Sequence, residues 1–538
     1  MSTTAVAAVA FLSSLGVVTH IDQGYPGHAD MLQYTGVRNI RDGGRNLSTT
    51  LSVHQQTGVL MDLVAECGVA DQLSQAKQLA SAGALLSLEG ANEPNNWPIT
   101  FNGQQGGGMG DWGPVAQCQA ALYSGVKNDP QLKNYPVFHV SEGGAETNNA
   151  GMQFLIVPSG AGTISAAPPG TKLADYANPH NYVSGHVGHL IDNMPWSAAD
   201  PTLNGAWDGL YVEYGRTWMK GFSGYSNADL QTLPRVTTET GWDSVSDGNE
   251  AVQAGVLTNT YLAQFARGWR YTFIYEMVDG EGSSGAQGLY HSDGTAKPAA
   301  TYIHNLTSIL ADNSAPASLG SMDYSISNQP GTVHSLLLQK SNGAYDLAVW
   351  SEIASGSAPV TVQFGQTFGT VKIYDVSKGT TPTATLSNAS SAQLTLNGYS
   401  TYILEAASGT PTPPPAPTPS AMAGPVAALG GHALQLYLNE DAYQGDALAQ
   451  ISVNGSPAWP NPQPVKALHS QKQQQVFTVF GTWSSPPQIT VTFTNDLYNG
   501  TPQTDRNMYL LSGSYDGKAI SGASHSFHST GGYGFSAQ

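Results

Sequence analysis

Apolar residues follow two patterns along the N-terminal part of the chain. Runs with the length of buried strands lie at 83–89, 135–140, 234–238 and 271–275. Between them, the segments 58–81 and 249–267 carry apolar residues at helical spacing. Strands that alternate with helices over so long a stretch predict a parallel α/β sheet. An eight-stranded TIM barrel is the natural size for residues 1–314.

Beyond residue 315 the pattern changes to alternation of polar and apolar residues. Short β-branched and aromatic runs separated by Gly, Asn and Ser predict a small accessory β-sandwich over 315–407. The sequence SGTPTPPPAPTP then favours polyproline II and predicts a semi-rigid linker over 408–424. The final segment, 425–538, is again all-β and predicts a separate module.

The composition limits the partners that the protein can have. Charged residues make up 11% of the 538 residues and the formal net charge is −18, so phosphate backbones and anionic membranes would be repelled. We therefore expect neutral glycans or cations as partners, with no nucleic acid and no membrane. The apolar segment 4–18 lacks the basic residues of a signal peptide and is better explained by a short helix followed by a strand. Secretion is expected from composition and architecture, with the leader replaced or removed.

The cysteines leave two possibilities open. Cys67 and Cys118 could form one disulfide or remain two buried thiols, and the sequence does not choose between them. No Cys or His pattern has the spacing of zinc ligands.

Two carboxylates follow predicted strands directly. Glu93 stands in GANEP after the run 83–89, and Glu239 stands in TETGW after the run 234–238. Active sites of eight-stranded barrels are built at these strand ends, where one carboxyl group can protonate a leaving oxygen and another can attack an anomeric carbon. The acid then needs a raised pKa and the nucleophile must stay ionised. A glutamate before proline can also be a turn residue, but a second glutamate in this order and spacing favours catalysis.

These motifs resemble those of clan A glycoside hydrolases. AFLSSLGVVTHIDQG near the start and GLYHSDGTAKPAATYIHNL near residue 300 are also similar to that clan, in particular to family 39 and related family 5-like enzymes. The resemblance covers about residues 5–310. It implies Glu93 as general acid/base, Glu239 as nucleophile, and retention of configuration with carboxyl groups about 5 Å apart.

The resemblance also implies residues that bind the sugar. They are Asn92 at the 2-hydroxyl, His180 and Tyr182 of NPHNY in the glycone site, and Arg41 of VRNIRDGG beside the nucleophile. Arg41 could instead form a structural ion pair with Asp42 or Glu89, and His180 could be an ordinary loop histidine.

One segment departs from the clan's pattern. The last predicted strand ends in IYEMVDG, where the clan usually presents a tryptophan. Tyr275 is expected to take the stacking role, and Glu276 and Asp279 either bind the sugar or are structural. Alternative stacking platforms, any of which could equally be packed core, are Trp97, Trp112, Trp207 and Trp242; Trp242 and Glu276 are included among the predicted substrate-binding residues.

The C-terminal segment carries two acidic clusters, NEDAYQGD and NDLYNGTPQTDRN. Calcium prefers oxygen ligands of this kind, although solvated acidic turns would look the same. Both clusters resemble the calcium-dependent xylan-binding modules of carbohydrate-binding families 36 and 60, over about residues 431–520. The resemblance implies a jelly-roll-like fold, sugar neighbours Tyr443 and Tyr498, and a set of candidate Ca²⁺ ligands: Glu440, Asp441, Asp446, Asp496 and Asp505.

These observations predict a secreted retaining glycoside hydrolase with a tethered sugar-binding module. The expected substrate is a β-glycan of the plant-cell-wall type, with xylan first because of the module, and no cofactor is expected at the catalytic centre. A transglycosylase with the same carboxylate pair and a non-catalytic carbohydrate-binding protein are the alternatives.

Overall fold

The computed structural model describes most of the chain, and the chain forms two compact units. The described residues are 2–143, 154–159, 166–182, 232–245, 249–283, 285–353, 356–407, 422–481, 483, 486–501, 504–516 and 518–537. The first unit comprises 1–315 and 319–410, and the second comprises 316–318 and 411–538. Most of the predicted linker, 408–421, lies outside the described residues.

A parallel sheet that resembles a TIM barrel forms the centre of the first unit. Its seven strands, in spatial order, are Thr237–Thr240, Thr272–Ile274, Leu15–Val18, Asn39–Asp42, Leu60–Val64, Leu85–Glu89 and Val137–Phe138. Two isolated parallel bridges, Phe138 to Tyr176 and Ala177 to Arg235, lie between the two edges of this sheet. The predicted parallel α/β architecture is therefore confirmed in this coarser form.

Helices follow the strands in the order that the alternation predicts. Their bounds in the described chain are Ala8–Leu12, Ala29–Thr35, Leu47–Thr57, Val69–Ala82, Gly113–Asn128, Glu250–Ala266 and Pro298–Ile309. Local signals set their ends: the Asn249 side chain accepts bonds from two first-turn amides of Glu250–Ala266, and Gly83 ends Val69–Ala82 in the left-handed region.

The helix predicted over 58–81 is wrong in its first part. Gly58, with φ of 76°, ends the preceding helix, and the residues after it form the buried strand Leu60–Val64. The helix proper is Val69–Ala82. The run LMDLV contains a polar residue that faces the sheet interior, so its strand character was hidden by an apparent helical spacing.

The accessory region is one continuous hydrogen-bonded sheet that encloses a hydrophobic core of its own. Its strands, in spatial order, are Ser2–Thr4, Ser321–Ser327, Ala358–Asp375, Thr401–Ala407, Tyr345–Ser351, Val333–Gln339 and Val6–Ala7, with Ala384–Leu396 paired to Ala358–Asp375. The N-terminal strands Ser2–Thr4 and Val6–Ala7 cover opposite ends of this sheet. Because an uncovered edge strand leaves its backbone groups unpaired, the chain's first residues complete a sheet that the sequence assigned to 315–407 alone.

The helix Glu250–Ala266 packs directly against this second sheet. Asn259 donates from Nδ2 to the Ser351 carbonyl at 3.1 Å and accepts from the Thr401 hydroxyl. Gly255 faces Tyr399 so closely that an added Cβ would lie 1.9 Å from the tyrosine Cβ. This almost completely buried helix therefore joins the parallel sheet to the accessory sheet, together with Pro298–Ile309, whose Asn305 donates to the Val376 carbonyl at 2.8 Å.

Smaller elements surround the open end of the parallel sheet. They are the hairpin Ile99–Phe101 with Gln104–Gly106, the parallel pair Glu142–Gly143 with Pro179–His180, and the 3₁₀ turn Ile21–Gln23. Cys67 and Cys118 form a disulfide, with their Cα atoms 5.8 Å apart. Of the two possibilities that the sequence left open, the structure has the cross-link.

The second unit is a β-sandwich. One sheet contains Gln475–Gly481, Met422–Asp441, Asp505–Tyr515 and Leu497–Tyr498, with Lys518–Ala519 and His525–Phe527 on Asp505–Tyr515. The other contains Ser456–Pro457, Ala447–Val453, Gln488–Phe493 and Gly531–Ser536, with Gln463–Val465 on Ala447–Val453. Alternate residues such as Leu434, Leu436 and Leu438 fill the space between the sheets, as the period-two pattern predicts. The turn His469–Gln471 completes the elements.

Among the helices of the described residues, none is long and apolar enough to cross a membrane.

The contact between Gly255 and Tyr399 makes a stability prediction. Replacing Gly255 with Val forces a branched side chain into backbone and Cβ atoms of Tyr399, so we expect a loss of about 2 kcal/mol or more in the free energy of unfolding. Ala251→Val, on the exposed side of the same helix, controls for helix propensity. Thermal unfolding of both variants measures the difference; equal stability of the two would show that the helix–sheet contact is not tight.

Candidate active site and candidate calcium site

Glu93 and Glu239 border the same pocket, as their predicted positions require. Glu93 follows the strand Leu85–Glu89, and Glu239 lies in the strand Thr237–Thr240. The pocket has a volume of 880 Å³ and opens among the loops that follow the barrel-like strands. One carboxylate oxygen of each glutamate lies within 4.8 Å of the other. Both side chains retain a little solvent exposure, so a ligand can reach them.

Glu239 is held as an anion by two donors. The Tyr182 hydroxyl donates to Oε2 at 2.6 Å, and Arg41 Nη1 donates to Oε1 at 2.5 Å. Burial and the charge of Glu239 raise the pKa of Tyr182 well above its usual value, so the phenol stays protonated and keeps donating. Two such donors orient the carboxylate and stabilise its negative charge, which a nucleophile requires.

Arg41 has both of the roles that the sequence offered as alternatives: it lies beside Glu239, and it forms an ion pair with Glu89. It donates through Nε and Nη2 to the two oxygens of Glu89 at 2.7 and 2.8 Å, while Nη1 reaches Glu239. Nη2 also donates to Asn92 Oδ1 at 2.8 Å. Burial opposes the charge of Arg41, but Glu89 and Glu239 outweigh it and raise its pKa. Asp42 takes no part in this ion pair: its carboxylate accepts instead from the Thr19 hydroxyl and the Ile21 amide.

Glu93 has a different set of partners. His180 Nδ1 donates to Oε1 at 2.7 Å, and Asn96 Nδ2 donates to Oε2 at 2.8 Å. Burial opposes ionisation of Glu93, but these bonds and the charges of His180 and Arg41 outweigh it and lower its pKa. The sequence predicted a raised pKa for this residue. That expectation is wrong, because a buried imidazole stands beside the carboxylate.

The proton of this pair rests on His180. Burial lowers the pKa of His180, but the charges of Glu239 and Glu93 outweigh burial and raise it. The imidazolium Nε2 is 2.9 Å from the Thr238 hydroxyl, which in turn lies 3.0 Å from Asn178 Oδ1 and 3.1 Å from Glu89 Oε1. Thr238 can therefore accept from the imidazolium and donate onward. The arrangement places the protonated imidazole nitrogen Nδ1 2.7 Å from Glu93 Oε1 and 3.6 Å from Glu239 Oε2.

Glu93, His180 and Glu239 are also close enough to be considered as a metal site. Arg41 and Tyr182 already donate to Glu239, and the positive charge of Arg41 opposes a cation at this point. The donor set suits proton transfer better than metal binding.

Tyr275 and Glu276 are adjacent in the chain but separate in the site. Tyr275 lines the pocket, where its ring stands edge-on to Tyr182 with centroids 6.3 Å apart. Glu276 is fully buried behind the wall, 3.1 Å from His20 Nε2 and accepting from the Gly282 amide. The prediction of Glu276 as a sugar contact is not supported, because its carboxylate faces the loop that it holds. Asp279 is likewise structural, paired with Lys297 at 2.7 Å.

Only one of the proposed tryptophan platforms faces the pocket in the described chain. Trp97 is 65% exposed and lines the pocket beside Glu93. Trp242 is 2% exposed and packs in the main core, where the Gln253 side chain holds its carbonyl. This placement corrects its assignment as a sugar contact: the chain turns inward after Glu239. Trp112 is also core, and Trp207 lies outside the described residues.

Sequence reasoning named Glu89 as a possible partner of Arg41, and the structure contains that ion pair, but the other supporting residues of the site were missed. Asn96 and Thr238 carry no motif that would single them out. Glu89 gave a usable signal, since it is an acidic residue inside the apolar run GALLSLE and charged residues are rarely buried without a partner. Glu66, which lines the pocket, has no comparable signal.

In the second unit, the predicted calcium ligands divide between two places. Glu440 is buried and accepts from the Ala447 amide, whereas Asp441 accepts from the Tyr509 hydroxyl at 2.6 Å. Asn507 Nδ2 lies within 3.4 Å of Asp441 and 3.1 Å of Asp505, so these two acids form one group. Neighbouring residues of a strand point to opposite faces, which separates Glu440 from Asp441.

The loops that contain Asp446 and Asp496 lie side by side. Asn495 donates from Nδ2 to the Asp446 carbonyl at 2.9 Å and accepts from the Leu448 amide at 2.7 Å. Asp496 Oδ1 is buried and has no hydrogen-bond partner among the described atoms. A bound cation would satisfy a buried carboxylate oxygen that has no donor, so Asp496 is the predicted calcium ligand that the structure favours most directly.

Arg506 fixes the geometry of these loops. Its guanidinium donates to the carbonyls of Tyr443, Gln444 and Gly445 and, at 2.7 Å, to the carbonyl of Asn495. Tyr498 is 61% exposed, and the Tyr443 hydroxyl lies 3.4 Å from Asn499 Nδ2, next to Tyr498 in the chain. Both predicted sugar neighbours therefore belong to the same group of loops, held together by an arginine whose role the sequence did not indicate.

Comparison with known families identifies this segment. Residues 433–529 match CBM60, described as a Ca-dependent carbohydrate-binding module, xylan-binding. The prediction of a calcium-dependent module is confirmed. The match nearly coincides with the resemblance noted over 431–520, and it does not assign individual ligands.

Comparison with solved structures finds sugar-cleaving enzymes at low identity. The GH51 arabinofuranosidase from Xanthomonas axonopodis pv. citri is 13% identical, over 70% of this chain and 89% of that one, with a TM-score of 0.43. A glucosidase from Croceicoccus marinus is 11% identical, over 75% and 98%, with a TM-score of 0.46. A Paenibacillus polymyxa xyloglucanase from glycoside hydrolase family 44 is 12% identical, over 68% and 84%, with a TM-score of 0.43. A search of curated proteins gave no match.

Glu440 makes calcium binding depend on pH. Burial, together with the charge of Asp446, raises the pKa of Glu440 to about 7, so below pH 7 a calcium ion that binds this carboxylate must displace a proton. We expect calcium affinity to rise with pH up to about 7 and then to level off, measured by titration calorimetry between pH 5.5 and 8. Asp516→Asn, at an exposed ion pair with His432, should keep this profile, and Glu440→Gln should lose it. A flat wild-type profile would remove Glu440 from the calcium site.

Proposed function

We propose that the protein is a retaining glycoside hydrolase that cleaves β-glycosidic bonds of a neutral plant-cell-wall glycan. The observation that carries this proposal is the pair Glu93 and Glu239, whose nearest oxygens lie within 4.8 Å and whose partners differ. Double displacement needs carboxyl groups about 5 Å apart, whereas inversion needs more room for a water molecule between them. The first unit is then a complete eight-stranded barrel of the clan A type, closed through the bridges at Tyr176 and Ala177.

The partners of each glutamate support its role in the first step. Glu239 attacks the anomeric carbon and forms an ester with it, while the bond from that carbon to the leaving oxygen breaks. The leaving oxygen takes a proton from Glu93, which His180 can supply because it holds the proton 2.7 Å away. Asn92 accepts from Arg41 through its carbonyl oxygen, so its amide nitrogen is the group that we assign to the sugar 2-hydroxyl.

In the second step Glu93 acts as a base rather than as an acid. Glu93, now a carboxylate, removes a proton from water as the water oxygen attacks the anomeric carbon, and Glu239 leaves as a carboxylate. The product keeps the configuration of the substrate because two inversions occur. Arg41 and Tyr182 stabilise Glu239 again as its charge returns. A sugar acceptor in place of water would give the transglycosylase alternative.

The charges around the pocket support a neutral substrate. Asp22, Glu66 and Asp71 line it together with Arg41 and Arg45, and both arginines are already in ion pairs, Arg45 with Asp22 at 2.9 Å. The described wall therefore offers no free cation to an acidic sugar. Xylan is the first choice because the family that matches residues 433–529 is described as xylan-binding. The Cys67–Cys118 disulfide supports a secreted protein.

The nucleophile is tested by substitution. We expect Glu239→Gln to lower reducing-sugar release from neutral β-glycans by more than about a thousandfold, because no ester with the anomeric carbon can form. Glu281→Gln, which removes a carboxylate paired with His28 outside the pocket wall, should change activity less than twofold. Proton NMR of the first product should show the β-anomer for the wild type. An α-anomer, or full activity of Glu239→Gln, would refute the proposed mechanism.

Chelation of calcium distinguishes the function of the first unit from that of the second. We expect EDTA to abolish retention of the full-length protein on insoluble xylan, because the module depends on calcium. Turnover of a small soluble β-xyloside should be unchanged, since the catalytic carboxylates are held by Arg41, Tyr182 and His180 rather than by a metal. Loss of small-substrate turnover in EDTA, restored by calcium, would contradict this division.

A further inference from the structure

One buried guanidinium is shared between two carboxylates of the active site. Glu89 ends the strand Leu85–Glu89, is 0% exposed, and takes two hydrogen bonds from Arg41. Arg41 also donates to Asn92 from Nη2 and to Glu239 from Nη1. A two-point pair between a guanidinium and a carboxylate is the stronger and more directional of such contacts. Glu89 therefore decides both where Arg41 points and how much positive charge it offers to Glu239.

Asp62 does not share this task. It is fully buried near Glu89 and accepts from the Ser87 hydroxyl at 2.7 Å. Burial, followed by the negative charge of Glu89, raises the pKa of Asp62 well above its usual value, so both oppose a negative charge on Asp62. Of these two acids, Glu89 is the one that accepts hydrogen bonds from Arg41.

The positive charge that Arg41 offers to Glu239 affects the rates of the two chemical steps differently. In the first step Glu239 attacks the anomeric carbon, and this attack is faster when the carboxylate is more basic. In the second step Glu239 leaves that carbon, and this departure is faster when the carboxylate is less basic. An Arg41 without Glu89 would present its full charge to Glu239 in a poorly solvated site, where charge interactions are strong. That charge would make Glu239 less basic.

We propose that Glu89 is a positioning residue that partly neutralises Arg41 and thereby sets the balance between attack and departure of the nucleophile. The inference rests on the proposed function, because it assumes that Glu239 forms the glycosyl ester. It assigns a role to a carboxylate that touches no substrate, and it predicts opposite effects on the two chemical steps.

The test is Glu89→Gln, which preserves the size of the side chain and one acceptor for Arg41 while removing the charge. We expect the acid limb of the kcat/KM profile, which reports protonation of the free nucleophile, to move to lower pH by about one unit or more. With an aryl β-glycoside, rapid-mixing kinetics should show glycosyl-enzyme formation slowed about tenfold or more, with breakdown of the glycosyl-enzyme not slowed.

Two variants control for structural effects. Glu89→Asp keeps the charge but withdraws it by one methylene, so its acid limb and its ratio of the two rate constants should fall between wild type and Glu89→Gln. Glu352→Gln removes a buried carboxylate that accepts from the Trp350 indole in the accessory sheet, and should alter stability alone. If Glu89→Gln does not fold, the shift of Glu89→Asp relative to wild type is the test.

The outcomes are distinct. An unmoved acid limb, with both steps slowed by the same factor, would reduce Glu89 to a packing role and overturn the inference. Failure of the proposed function appears earlier, because the wild-type protein would then form no covalent glycosyl-enzyme that depends on Glu239, and the inference would fall with it. An opposite shift in the two steps supports both.

Discussion

The buried charge of Arg41 is the constraint on which the active site depends. A guanidinium cannot lose its proton, and burying it without counter-charges would cost several kcal/mol. Its partners come from two other strands, Leu85–Glu89 and Thr237–Thr240, and from Asn92 in the loop after the first of these. Satisfying one cation therefore fixes the distance between strands far apart in sequence. The two glutamates converge because Asn92, next to Glu93, and Glu239 both bind this ion.

Two identical side chains obtain different chemistry from their partners. Glu239 has a cation and a phenol as donors, neither of which gives up its proton. Glu93 has an imidazole, which does. Burial alone would raise the pKa of Glu93, yet its partners lower it, so the acid role proposed for Glu93 would depend on His180 as the store of the proton. A substrate that displaces water from this pair changes the balance between burial and pairing, which is the natural moment for the proton to move.

The sequence predicted the positions of Glu93 and Glu239 because each follows or ends a strand of a parallel sheet, and the carboxyl ends of such strands meet. Arg41 and Tyr182 were predicted from the family resemblance of their motifs. It could not separate Tyr275 from Glu276, or place Trp242, because inward and outward directions depend on how the chain turns after each strand. It also missed the strands Ser2–Thr4 and Val6–Ala7, whose partners lie more than 300 residues away. Local patterns determine element type, whereas edge pairing is decided by the assembled sheet.

The buried carboxylates of the two units have different hydrogen-bond donors, and this difference explains why the second unit depends on calcium. In the active site, every described oxygen of Glu239 and Glu93 has an organic donor, so a cation would have to compete with Arg41. In the module, the nearby arginine, Arg506, donates to backbone carbonyls instead. Asp496 is left with a buried oxygen that nothing in the described chain satisfies. A calcium ion would supply the missing charge at Asp496, beside the loops that Arg506 holds together.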